Sequence, residues 1–323
     1  MKAKLIVGLF IVLAQALPLS QAYAEKFPVR PMTIIVPYTP GDGPDVMARL
    51  IGEKISQSLG QPVVIENRAG ASGQIGLSMT ARAEPDGYTL GLGLVTNLAL
   101  APYAYKSVPY DPLKDFAPVA LAAQNYLALV SRPNAPFKTV PEMIEWAKTH
   151  PDKLTIGTTS VGGLPHMSFE LLAHMSGFTF LNVPYKGNSA VITDLTGGRT
   201  DLGVTSYTSV APMLQAGNMH LLGITYPTPD PELPELPTIS QSVDGYSSVG
   251  WFAFVAPAGT PDTIVNRLNE AINEALKESD LQEKMKTLGL IPVMESPEYF
   301  ADFLKSENAK FKKLVEDIDY EPR

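Results

Sequence analysis

The sequence predicts an α/β fold built as two domains, and three observations carry that prediction. Short β-branched apolar runs alternate with amphipathic runs of helical length, glycine and proline punctuate the junctions, and 323 residues exceed what one core usually holds. A hydrophobic content of 45% is that of a globular chain and argues against disorder.

In chain order, the strand-like runs are 32–36, 62–66, 89–93, 126–130, 155–158, 201–204, 220–225, 252–256 and 291–294. Helical spacing is found over 44–58, 73–83, 140–150, 165–175, 189–195, 210–214, 261–278 and 297–318. The first strand is Met-Thr-Ile-Ile-Val, and the first helix repeats Val46, Met47, Leu50, Ile51 and Ile55 on one face. Gly60 and Gly217 stand just past helical ends, where a left-handed residue is wanted, while Pro141, Pro165, Pro261 and Pro297 suit first turns. Alternation of this kind implies parallel sheets with helices on both faces. There is no internal repeat or low-complexity tract.

The chemistry points to the turn Tyr38-Thr39-Pro40-Gly41-Asp42-Gly43-Pro44-Asp45, between the first strand and the first helix. Gly41 and Gly43 permit positive φ, and Pro44 fits a first helical position, so the amides of Gly43, Asp45 and Val46 are free to bind an anion. A second turn of the same design, Thr158-Thr159-Ser160-Val161-Gly162-Gly163-Leu164-Pro165, again joins a strand to a helix. Ligands of open α/β sheets sit beyond the carboxyl ends of the strands, so two hinged domains bring both turns to one small anion.

The first residues read as an export signal. Lys2 and Lys4 precede an apolar run over 5–17, shorter than a membrane span, and Ala22-Tyr23-Ala24 has the small-x-small form of a cleavage site. Cleavage after Ala24 makes Glu25 the first mature residue and the location periplasmic. Net charge of −8, which deepens when the two lysines are removed, excludes a nucleic-acid binder by charge. With no cysteine there is neither a disulfide framework nor a lipid-anchoring thiol.

Seven motifs then carry a resemblance: Phe27-Pro28-Val29-Arg30-Pro31, Ile34-Ile35-Val36-Pro37-Tyr38, the glycine turn with Asp45, the run from Leu59 through Asn67-Arg68, Pro85-Asp86-Gly87-Tyr88-Thr89-Leu90, Val183-Pro184-Tyr185-Lys186-Gly187 and Ala256-Pro257-Ala258-Gly259-Thr260-Pro261. In this order they resemble the Bug-type receptors of tripartite tricarboxylate transporters. The resemblance implies a type II periplasmic binding fold, with two α/β domains hinged around a ligand cleft and chain crossovers near Ala123 and Gly250. Beyond the signal at 1–24, it implies a discontinuous first domain, 25–123 plus 251–323, and a second domain, 124–250.

The resemblance further implies a ligand set: Tyr38, Thr39, Gly41, Gly43, Pro44 and Asp45 from the first loop, and Thr158, Thr159, Ser160, Gly162, Gly163 and His166 from the second. Thr96 and Asn97, Tyr185, and Thr205, Ser206 and Tyr207 complete it. The function implied is capture of a small organic carboxylate, aliphatic or aromatic, by a monomeric receptor that delivers it to a membrane permease without cofactor or metal. A receptor that presents its ligand to a sensor kinase is the alternative. Hydroxyls and amides suit the task, since charge-assisted bonds need no buried cation and ordered water can bridge.

Three positions depart from that family's pattern: Asp42 and Pro44 in the first loop, where a glycine and Thr or Ser are usual, and Thr205, where Asp is frequent. Asp42 is expected to face solvent as a turn and capping residue. A serine hydrolase is a further alternative, but Gly157-Thr158-Thr159-Ser160-Val161-Gly162 has one residue too many before the serine for a nucleophile elbow, and His166 is the only nearby base. The four histidines lack zinc-pair spacing, and the first loop fails the dinucleotide fingerprint at its third glycine. Trp251, Phe252 and Phe254 read as core or hinge packing, and 305–313 as a solvated helix face.

Overall fold

The computed structural model describes residues 27–322 except 160, 186, 231 and 232; the expected signal peptide, its cleavage site and Ser160 lie outside the described residues. The strands are β1 (Met32–Val36), β2 (Val63–Asn67), β3 (Thr89–Leu94), β4 (Phe116–Asn125), β5 (Leu127–Ser131), β6 (Thr155–Thr158), β7 (Leu181–Pro184), β8 (Leu202–Ser206), β9 (His220–Ile224), β10 (Gly250–Pro257) and β11 (Ile291–Pro292). The helices are α1 (Gly43–Leu59), α2 (Gln74–Ala81), α3 (Ala101–Ala104), α4 (Val140–Thr149), α5 (Leu164–Ser176), α6 (Asn188–Thr196), α7 (Tyr207–Gln215), α8 (Asp262–Leu276), α9 (Ser279–Thr287) and α10 (Pro297–Asp317). A helical turn, Thr96–Leu100, leads into α3.

These strands form two sheets, ordered β11-β4-β10-β3-β1-β2 and β7-β6-β8-β5-β9. The chain leaves the first sheet at the end of β4, enters the second one residue later at β5, and returns at β10. The sheets are mixed, which corrects the parallel expectation: β10 runs antiparallel to β3 and β4, and β5 antiparallel to β8 and β9. The reason is geometric. A strand arriving straight from the other sheet starts at the edge facing that sheet, where the parallel strands end, and so must run against them.

β1 is buried on both faces, as a central parallel strand must be, and its register places Ile34 opposite Ile65 and Leu90. On α1, Met47, Ile51 and Ile55 follow the four-residue spacing and are fully buried beneath that sheet, at roughly 1.5–3 kcal/mol per side chain removed from water. α1 ends at Gly60, whose φ of 68° closes the helix with its amide on Ser56 O. In the second sheet, Leu129, Ile156, Leu202 and Val204 pack with Met167, Phe169 and Leu172 of α5.

β4, β7, α3 and α9 had no counterpart among the expected elements. β4 is alanine-rich and lacks period-two alternation, β7 is a four-residue edge strand with exposed ends, and α9 begins only two residues after α8. Among the described residues no helix is long and apolar enough to cross a membrane.

Candidate functional site

The first loop is tied down by Asp45. Its carboxylate, almost fully buried at the start of α1, accepts from Gly41 N at 2.8 Å, Arg49 Nε at 3.0 Å and Asn67 Nδ2 at 2.8 Å. Asn67 also donates to Tyr38 O at 3.1 Å, which clamps the loop to the end of β2. Burial opposes ionisation of Asp45, but the hydrogen bonds from Arg49, Gly41 and Asn67 and the Arg49 charge outweigh it, so the carboxyl sits below its ordinary pKa. Of the two glycines, only Gly41 takes positive φ, 87°; Gly43 is the first helical residue.

Asp42 is exposed and occupies the N-cap position, but its carboxylate accepts from the Thr39 hydroxyl and makes no bond to the helix amides. Its carbonyl takes the Val46 N–H at 3.0 Å. This corrects the expectation that the Val46 amide is free. Gly43 and Asp45, in the first turn, have no carbonyl four residues back within the helix, and their amides are the ones left over. Pro44, between them, brings no N–H.

Removing the Asp45 carboxylate strands the Gly41 amide and the Asn67 side chain. Asp45→Ala is expected to cost about 2 kcal/mol in urea titrations at neutral pH. Because the folded pKa is lowered, this stabilisation is fully present above the unfolded carboxylate value of about 3.9 and is lost as pH falls through the folded one. The gap between wild type and variant closes in acid; a gap independent of pH would overturn the assignment.

Asn97 joins three elements. Its Oδ1 accepts from Leu94 N at 2.8 Å, its Nδ2 reaches the Tyr38 hydroxyl at 3.5 Å, and its carbonyl accepts from the Tyr110 hydroxyl at 2.8 Å. Burial, then Tyr105 and Asp42, hold the Tyr38 hydroxyl far above its ordinary pKa, so it stays a donor. Thr96, one residue before Asn97, is partly exposed. Close by, Ser72 bonds Tyr105 hydroxyl to hydroxyl at 2.9 Å, from a turn in which Ala71 and Ser72 take φ of 48° and 54°. Tyr105 also lines a cavity of about 390 Å³ with Tyr103, Lys106, Tyr110 and Asp111. Neither Ser72 nor Tyr105 was singled out from sequence, and only the Gly-Ala-Ser-Gly run gave a signal.

The second loop is built differently. The Thr158 hydroxyl donates to Asn182 Oδ1 at 2.7 Å, Thr159 is partly exposed, and Gly163 forms the N-cap of α5 with no side-chain cap bond. Gly162, at φ 74°, donates its amide to His166 Nδ1 at 3.1 Å, and His166 Nε2 lies 3.1 Å from Glu170 Oε1. Both ring nitrogens are thereby used within the protein, which leaves His166 no capacity as a general base. A Cβ built on Gly162 would stand 2.8 Å from the Tyr320 hydroxyl and 3.6 Å from Ala104 Cβ. Ala104 therefore stands beside the second loop, while its neighbour Tyr105, just past α3, bonds Ser72 in the turn after β2.

The remaining expected residues stand around the crossover. Thr205 is buried with no hydrogen bond to its hydroxyl, Ser206 Oγ lies 2.7 Å from Ser209 Oγ, and Tyr207 packs on Tyr126 at 5.9 Å between ring centroids. Asn125, Tyr126, Ser206 and Tyr207 line a cavity of about 20 Å³. Tyr185 turns to α6, donating to Asp194 at 2.9 Å; burial and then Asp194 push its pKa up to about 12. Among the described residues no cluster of His, Asp or Glu could hold a metal ion.

Comparison with known proteins places this arrangement. BugT of Bordetella pertussis is 33% identical over 317 residues, covering 96% of this chain and 95% of its own. The solved structure of Rpa4515 from R. palustris with adipate superposes with a TM-score of 0.79 at 34% identity, covering 92% of this chain and all of that one. MatC from Rhodopseudomonas palustris, with bound malate, gives 0.74 at 31% identity over 90% of this chain and all of that one. The two-sheet architecture is thus the two-domain periplasmic binding fold. The family described as tripartite tricarboxylate transporter family receptor matches residues 47–320, and the chain belongs to it.

Proposed function

We propose that this receptor captures a small dicarboxylate between the first-turn amides of α1 and the loop before α5, closes around it, and delivers it to the permease of a tripartite tricarboxylate transporter. The protein is a receptor and not an enzyme. The observation that carries the ligand reading is the presence of two strand-to-helix loops of one design, after β1 and β6, each at the carboxyl end of a parallel strand. Relatives solved with adipate and with malate support a dicarboxylate.

In this reading the first domain is 25–123 with 251–323, and the second is 124–250. Each ligand end meets amides and hydroxyls of one domain. Closure follows from the ligand's greater affinity for the closed state, where it touches both. Tyr38, Asn97, Thr158 and Thr205 supply hydroxyl and amide groups beside the loops, while Asp45 and His166 shape the loops themselves. The protein is exported, cut after Ala24 and acts in the periplasm as a monomer.

Adipate, malate, citrate and benzoate test this in a thermal-shift series. A ligand at a hundredfold excess over Kd adds about 2.7 kcal/mol to the folded state. The best of them is expected to raise the melting temperature and to reduce the radius of gyration in small-angle scattering. Stabilisation without compaction would overturn closure, and no stabilisation by any carboxylate would overturn the ligand class.

A further inference from the structure

The exchange between Gly162 and His166 is closed and directional. A ring nitrogen accepts an amide N–H only when it carries no proton, so Nδ1 is the bare nitrogen and the proton sits on Nε2, facing Glu170. The imidazole is 5% exposed, so water does not supply a substitute partner. Gly162 holds a left-handed φ, a conformation open to several alternatives for glycine, and the bond to Nδ1 selects one of them. The rings of Phe180 and Tyr320, at 6.4 Å and 6.2 Å, fix the imidazole from two sides.

We propose that His166 is the positioning residue of the second loop: as the Nε2–H tautomer it accepts the Gly162 amide and so fixes the left-handed turn at Gly162 that presents this end of the loop to the ligand. The proposal rests on the loop being a ligand-binding element, and it adds what shapes the loop.

The titratable groups facing the ring are Glu170, from its own helix, and the Tyr320 hydroxyl, from the segment after α10. Two turns further along α5, His174 Nε2 meets Asp317 at 3.6 Å, and Asp317 is also held by Lys313 at 2.6 Å. The Gly162 bond needs an Nδ1 that carries no proton, and Glu170 stands where it can accept from Nε2.

Two variants separate positioning from mere packing. His166→Asn puts a side-chain oxygen close to the Nδ1 position, keeping an acceptor that does not titrate, whereas His166→Phe keeps the ring without an acceptor. With adipate and malate as calorimetric probes near pH 7.5, His166→Phe is expected to bind about tenfold or more weaker, and His166→Asn to stay within about threefold of wild type.

A readout without ligand accompanies this: nitrogen-15 spectra of the full-length mature protein are expected to show the neutral His166 ring with its proton on Nε2 and none on Nδ1. Equal affinity losses in both variants, or a neutral ring protonated at Nδ1, would overturn the proposal. If wild type binds neither probe, the dicarboxylate reading fails separately, and the tautomer decides the role of His166.

Discussion

Trp251→Ala is expected to destabilise the protein by about 3–5 kcal/mol, the cost of removing a large buried aromatic. Trp251 is fully buried on β10, with ring contacts to Phe300 and Phe303 of α10 at 6.2 Å and 5.7 Å. Its indole N–H donates to Glu307 Oε2 at 2.9 Å, and that carboxylate is itself buried and paired with Lys310. The variant therefore opens a cavity and removes the indole donor bonded to Glu307. Trp251→Phe keeps most of the volume but not the donor, and is expected to cost about 1–2 kcal/mol. Trp146 remains as the fluorescent reporter for urea titrations of both variants. Equal losses in the two would show that the hydrogen bond, and not the packing, dominates.

The largest effect on binding is expected from Gly162→Val. The residue has φ 74°, which a β-branched side chain tolerates poorly, and its Cβ would press on the Tyr320 hydroxyl at 2.8 Å. The loop must move from both α3 and the segment after α10. The carboxylate that stabilises wild type most is expected to bind at least about a hundredfold weaker, equivalent to about 2.7 kcal/mol. The far-ultraviolet spectrum is expected to be unchanged, since no helix or strand includes this residue. Undiminished affinity would take the second loop out of the site.

Much of the scaffold was legible because periodicity and punctuation agreed. Met32–Val36, Thr155–Thr158 and the start of α10 at Pro297 fall where apolar runs, glycines and prolines put them. What the sequence could not display is direction and partnership. β5 and β10 run against their neighbours because of where the chain enters each sheet, a topological fact with no local residue signature. The loops after β1 and β6 were visible as glycine-rich turns, but their internal wiring was not. Asp45 stands in the first turn of a helix, where an acidic residue needs no further explanation, yet Asn67, 22 residues away, makes it the anchor of the loop. Ser72, Tyr105 and Tyr320 reach the candidate site from outside the two expected loops, through contacts that only the fold creates.

The interleaving of the first sheet has a consequence for how the chain acquires its structure. β10 lies between β3 and β4, more than a hundred residues from either in sequence, while the second sheet draws all its strands from residues 127–224. Contacts between distant segments form slowly because the intervening chain must first be confined. The second sheet can therefore be completed from the middle of the polypeptide, although β5 must still find β8 and β9 from the far end of that stretch, while β3 and β4 wait with an open seam for β10. The sheet that carries the Asp45-anchored loop cannot be closed before residues 250–257 are in place.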